Sequence, residues 1–159
     1  MGSLTALLFT YSGRINRAKY WLAIAIYLAI TVLLIAIGLI MFGNSLLAIG
    51  DEETDELVVG LLTRGIGFTL IVLVVYIPMV ISGFMVGIKR LHDRDKSGWW
   101  LLVFYVLPGV LSTIGDNLAT GGLIFALASF AVSIWALVEL GILRGTAGPN
   151  RYGPDPLAS

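Results

Sequence analysis

Apolar runs of membrane-spanning length alternate with short charged segments along the chain. Crossing a hydrocarbon core of about 30 Å takes roughly 20 helical residues at about 1.5 Å each. Two runs meet that length without a single charged side chain: Tyr20 to Phe42, "YWLAIAIYLAITVLLIAIGLIMF", and Ile66 to Ile88, "IGFTLIVLVVYIPMVISGFMVGI". A third, Leu123 to Leu143, carries one acid, Glu139, about a turn from its end. The fourth, Trp99 to Ile114, has 16 residues and is interrupted by Pro108-Gly109, so it reads as short, kinked or re-entrant. The pattern predicts an all-α membrane protein: a bundle of about four transmembrane helices in a single domain over residues 1–159, with spans near 20–42, 66–88, 99–114 and 123–143. The first run has a basic flank, but it exceeds the length of a signal-peptide core and no small-residue cleavage pattern follows it, so it reads as an uncleaved helix. The start "MGSLTA" has Ala6 where a myristoylation signal wants Ser or Thr.

Composition strengthens this picture. The chain is 58% hydrophobic and 13% charged, with a mean hydropathy of +0.94. Soluble domains carry about 25% charged residues, so the composition argues against a water-soluble fold. With no cysteine there is no disulfide, thiolate metal site or cysteine nucleophile, and no cofactor is expected.

The net charge of zero hides an asymmetry. Around four spans, Arg14, Arg17, Lys19, Lys89, Arg90, Arg94, Lys96, Arg144 and Arg151 fall on one side, and only Arg64 on the other. Basic loops stay in the cytoplasm, which predicts a multi-pass protein with both termini inside. Three spans would send the basic tail outside. The acidic "DEETDE" at 51–56, together with Asp116, falls opposite and reads as a solvated periplasmic turn. Its spacing lacks the Gly and Asn ligands of a calcium loop.

This topology gathers three segments on the cytoplasmic side: "YSGRINRAKYW" (11–21), "GIKRLHDRDKSGWW" (87–100) and "GPNRYGPDP" (148–156). Their G-R-x-x-R-x-x-Y-W, K-R-L-H-D-x-x-x-S-G-W-W and N-R-Y-G-x-D-P patterns, in this order, resemble the bacterial membrane family called domain of unknown function number 805. The similarity runs from about Phe9 to Pro156. The resemblance implies a small inner-membrane protein of about four helices and no established reaction. The acidic 51–56 segment lies outside these motifs.

Individually the charged residues have modest readings. Lys89 and Arg90 end the second span, where cations oppose the helix dipole and meet anionic headgroups. His92 with Asp93 and Asp95 suggests metal ligation or acid–base chemistry, but one His and two acids form a poor ligand set. No catalytic or metal-binding residue is assigned. Ser97-Gly98 reads as a turn and cap, and Tyr20, Trp21, Trp99 and Trp100 as interfacial anchors. Collectively, Arg14, Arg17, Arg90, His92 and Arg151 read first as a latch of loop to tail, which the turn-forming "NRYGPDP" supports; in the alternative, the same groups are expected to close over one anion, such as a lipid phosphate, with Asp93 or Asp155 orienting them. Tyr152 adds a ring at the interface. Glu139 is the intramembrane ionisable residue, and an ion pair with Arg14 or Arg90 is favoured over a proton relay. Gly83 with Gly87, and Ser129 with Ser133, are small-residue pairs that permit close helix approach within the bundle or a homo-oligomer.

These readings favour a non-enzymatic membrane protein whose basic cytoplasmic face binds anionic lipid or a partner protein. A small-solute transporter or channel ranks second and an enzyme acting on lipid headgroups third. No nucleic-acid module is present.

Overall fold

The computed structural model describes residues 3–47, 54–118 and 122–158, and every regular element among them is helical. These are α1 (Leu4–Phe9), α2 (Arg17–Leu47), α3 (Thr54–Asp93), α4 (Trp100–Tyr105), α5 (Leu107–Asp116) and α6 (Gly122–Leu137), the last continuing into a π-helical turn over Val138–Ile142. Three helical stretches are long and apolar enough to cross a membrane: Arg17–Gly43, Val58–Asp93 and Gly122–Ile142. The apolar Trp100–Asp116 stretch is shorter, divided at Val106, with Pro108 in the first turn of α5, where its missing N–H removes no helical bond. The hydropathy pattern anticipated this break near Pro108-Gly109.

The two long helices outrun their apolar segments, because helix formation does not stop at the first charge. α2 extends to 31 residues and α3 to 40, and α3 accommodates Pro78 in its interior. Of the expected turn at 51–56, positions 51–53 lie outside the described residues. From Thr54 the chain is already helical, so the turn does not extend over 54–56.

By its internal contacts the chain divides into two compact units, Met1–Ala23 with Ser82–Ser159, and Ile24–Ile81. The second unit is a pair of helical arms held by apolar contacts. Phe42 meets Phe68 edge-on at 5.7 Å, and the Phe68 ring lies so close to Gly38 that a Cβ there would sit 3.0 Å from it. The first unit has a buried core of Leu91, Leu101, Phe104 and Leu140, with Tyr20, Ile88, Trp100, Val103 and Ala136 packed against it. Trp135 meets the rings of Trp100 at 5.4 Å and Phe104 at 5.2 Å, which ties α6 to α4. Gly87 lets Leu101 approach α3 closely, whereas Gly83 faces open space. Ser129 links α6 to α5, donating to Pro108 O at 3.0 Å and accepting from Ser112 at 3.2 Å.

Candidate functional site

The charged motifs converge on Asp93, the last residue of α3. Arg14 donates from Nε and Nη2 to Oδ1 at 3.2 and 3.1 Å, and Arg90 donates from Nη1 to Oδ2. All three side chains are at most 3% exposed. Two cations around one buried anion would be costly if their remaining N–H groups were left without acceptors. None is left so. Arg14 also bonds the carbonyls of Thr146, Gly148 and Gly153, and Arg90 those of Leu140 and Leu143. Every guanidinium nitrogen of both arginines therefore has an acceptor within the protein. Gly145 runs against the other side of Asp93, where a Cβ would overlap the carboxylate.

The acceptors form a pattern. A helix end leaves about four carbonyls without intrahelical donors, and near a membrane few waters replace them. Here the end of the π-helical turn is met by side chains in succession. Leu140 O takes Arg90, Gly141 O takes the Trp21 indole N–H at 3.0 Å and Ile142 O takes Arg17 at 3.4 Å. Leu143 O takes Arg90 again, and Arg144 O takes Arg94 at 2.6 Å. Cations at this position also oppose the negative end of the helix dipole. Gly141 is required for the indole contact, since a Cβ would come within 2.9 Å of the Trp21 ring.

The loop after α3 is shaped by a Schellman cap. Lys96 N–H bonds Leu91 O and Asp95 N–H bonds His92 O, with Asp95 left-handed at φ 56°, a place more often taken by glycine. This reversal carries Arg94 and Lys96 back to Glu139, each 3.0 Å from Oε1. Glu139 is thus an ion-pair partner, but of Arg94 and Lys96; the expected partners Arg14 and Arg90 are both committed to Asp93. Lys96 also lies over the Trp100 ring at 5.2 Å.

The tail docks on the same loop. Thr146 N–H donates to Asp93 O at 2.8 Å, and Asn150 Nδ2 donates to His92 O at 2.9 Å and Thr146 Oγ1 at 3.0 Å. The His92 ring stacks on Tyr152 with centroids 3.8 Å apart and planes 5° from parallel, while its Nδ1 lies 3.3 Å from Gly13 O. Asp155 accepts from the N–H groups of Leu157 and Gly148, which hold its carboxyl below the usual carboxylate range. Arg151 pairs with exposed Asp95 at 3.1 Å and lies against Tyr152. On the opposite flank, Lys89 donates to the carbonyls of Ala6 and Leu7 and so closes the end of α1.

Of the candidate cluster, then, Arg14, Arg90 and Asp93 meet directly, and His92 joins them through Tyr152 and Asn150. Arg17 stands apart from Asp93 on Ile142 O, and Arg151 stands apart on Asp95. Among the anchor candidates, Trp99 is 77% exposed and Trp21 45%, whereas Tyr20 and Trp100 turn onto the core. Arg94, Lys96, Thr146 and Asn150 take part without having been singled out, and Lys89, read as a headgroup contact, instead bonds the carbonyls of α1. Asn150 lies in the quoted tail motif, and its amide, a donor on one end and an acceptor on the other, was the available signal. Among the described residues no group of three or more His, Asp or Glu is placed to hold a metal ion.

This geometry occupies a span that is recognisable elsewhere. The family model described as "Protein of unknown function (DUF805)" matches residues 8–154, a range that contains Arg14, Asp93 and Gly153 alike. The chain belongs to this family. Its curated DUF805-like relatives include "Uncharacterized protein YiiR" of Escherichia coli (strain K12), 28% identical over 160 residues and covering 93% of this chain and 86% of the relative. "Inner membrane protein YhaH" of the same organism is 29% identical over 146 residues, with 92% and 86% covered, and "Inner membrane protein YhaI" is 27% identical over 146 residues, with 92% and 85% covered. No solved structure matches significantly. The DUF805 assignment agrees with the three membrane-length helices and names no activity.

Proposed function

We propose that the chain is a multi-pass inner-membrane protein without catalytic activity, whose cytoplasmic face is a rigid charged latch that presents its surplus cations to anionic lipid. The observation that carries this is a division among the basic side chains. Arg14, Lys89 and Arg90 are buried and taken up by carboxylate and carbonyl oxygens. Arg17, Lys19 and Arg144 are exposed, and each lies beside an end of a membrane-length helix. Buried arginines whose every nitrogen is bonded within the fold hold structure, whereas exposed ones at a span end meet headgroups, each contributing about 1 kcal/mol near an anionic surface. A latch of this kind supports the four-span reading, because loop and tail meet only if they share a side, with α4 and α5 forming the short span and both termini in the cytoplasm. A partner protein or second copy on the same face is the competing occupant.

Two measurements test this. A C-terminal fluorescent-protein fusion is expected to fluoresce and a C-terminal alkaline phosphatase fusion to be inactive; the reverse overturns the orientation. Lipid retained after mild extraction, identified by native mass spectrometry, is expected to be enriched in anionic species. Retention in membrane proportions, with a protein partner in stoichiometric amount, would replace lipid by that partner.

A further inference from the structure

A cavity of about 430 Å³ lies between the start of α2 and the tail, walled in part by the latch itself. Its wall includes Asn16, Arg17, Asp93, Arg144, Thr146 and Asp155. We infer that this cavity is a discrete binding site for a phosphate monoester, with Arg17 and Arg144 as its two guanidinium forks. The inference deepens the lipid-binding reading above and rests on it.

The charges on the wall differ in how far they are committed. Asp93 is neutralised from behind by Arg14 and Arg90, and Asp155 already accepts two backbone N–H groups. The two arginines are not so occupied. Arg17 makes one long bond of 3.4 Å to Ile142 O, and Arg144 has no side-chain partner among the described residues. Their donors come from different elements, the first residue of α2 and the segment after the π-helical turn. An anion with one pair of oxygens satisfies one planar fork; a phosphate monoester, with three terminal oxygens, engages two. The positive end of the α2 dipole adds to the field, as helix N-termini do at phosphate sites.

The position suits an ester whose remainder is apolar. Leu157 and Ala147 complete the wall. Trp21, one turn beyond Arg17 and 45% exposed, marks the depth at which amphipathic rings settle near headgroups. The shared chemistry is a phosphate monoester, which arrives either as phosphatidic acid from the bilayer or as a small soluble phosphate.

The test uses the full chain in nanodiscs of phosphatidylcholine doped with phosphatidic acid, with bound lipid counted by native mass spectrometry, and in parallel the detergent-solubilised chain with glycerol 3-phosphate, followed by thermal shift. Arg17→Gln with Arg144→Gln is expected to lower phosphatidic acid retention about a hundredfold or more, beyond the roughly thirtyfold that two surface charges account for, because charge-assisted hydrogen bonds are lost as well. Ala147→Phe, which fills the cavity without altering charge, is expected to do the same while keeping the wild-type melting temperature. Lys19→Gln, which removes one exposed charge outside the cavity, is expected to lose no more than about fivefold, the share of one surface charge. Stabilisation by glycerol 3-phosphate as well as phosphatidic acid assigns the site to the phosphate group itself, and an effect of phosphatidic acid alone assigns it to lipid. If Lys19→Gln loses as much as Arg144→Gln while Ala147→Phe loses nothing, the site is overturned and diffuse attraction to the membrane surface stands. If the wild type retains no phosphatidic acid and glycerol 3-phosphate gives no shift, both the site and the lipid-binding reading fall.

Discussion

The two compact units differ in what holds them. Ile24–Ile81 is held by contacts such as Phe42 on Phe68 and Gly38 beneath the Phe68 ring. The other unit adds to its apolar core of Leu91, Leu101, Phe104 and Leu140 a buried ion triad, a run of capped carbonyls and a docked tail. In a bilayer, lipid tails are as apolar as Leu, so apolar helices gain little by exchanging lipid for each other and stay adjustable. A buried guanidinium has far fewer acceptable positions, because each donor moved off its acceptor costs about 1–3 kcal/mol. The lesson is that this chain fixes its geometry at one end of its helices and leaves the remainder to the membrane.

The largest break in that comparison is expected from Asp93→Asn, which keeps the size of the side chain and removes the charge between Arg14 and Arg90. Leaving buried charge uncompensated costs about 3–5 kcal/mol. The thermal midpoint in detergent is expected to drop sharply, and a midpoint equal to wild type would show that the triad holds nothing together. A smaller loss, about 1 kcal/mol, is expected for Glu139→Gln. Its partners Arg94 and Lys96 keep side chains 25% and 30% exposed, so water takes over part of the interaction. Unchanged stability there would return Glu139 to a role in proton movement. The smallest effect should come from the apolar unit. Phe68→Leu gives up an edge-on ring pair worth about 0.5–1 kcal/mol. A Phe68→Leu loss as large as that of Asp93→Asn, read in the same unfolding experiment, would erase the distinction between the units.

Much of this architecture was legible in the order of residues, and the reasons differ by element. Uninterrupted apolar runs announced α2 and α3, since charge is what the hydrocarbon excludes, but their ends were invisible to the same criterion because a helix continues into polar sequence. The weakness near Pro108 was apparent, and the chain breaks at Val106 to place the proline in a first turn. The convergence of loop, entry and tail followed from placing nine of ten basic residues on one side. The partners of those residues did not. Arg90 and Arg94 find backbone carbonyls at Leu140, Leu143 and Arg144, and every residue carries a carbonyl whatever its letter. The pairing of Glu139 depends on the left-handed turn at Asp95, a conformation that an aspartate tolerates without advertising.

The reach of Arg14 has a consequence for how the protein is made. Its acceptors Thr146, Gly148 and Gly153 lie 132, 134 and 139 positions further along the chain. During synthesis every membrane-length helix is made before the carbonyls that Arg14 takes, which follow the last of those helices. Closing so long a loop is a slow, entropically costly step, and here it is deferred until insertion has already drawn its ends together. Insertion and locking are thereby separated in time. A chain cut off before position 146 would keep all three membrane-length helices and lack every tail carbonyl that Arg14 takes.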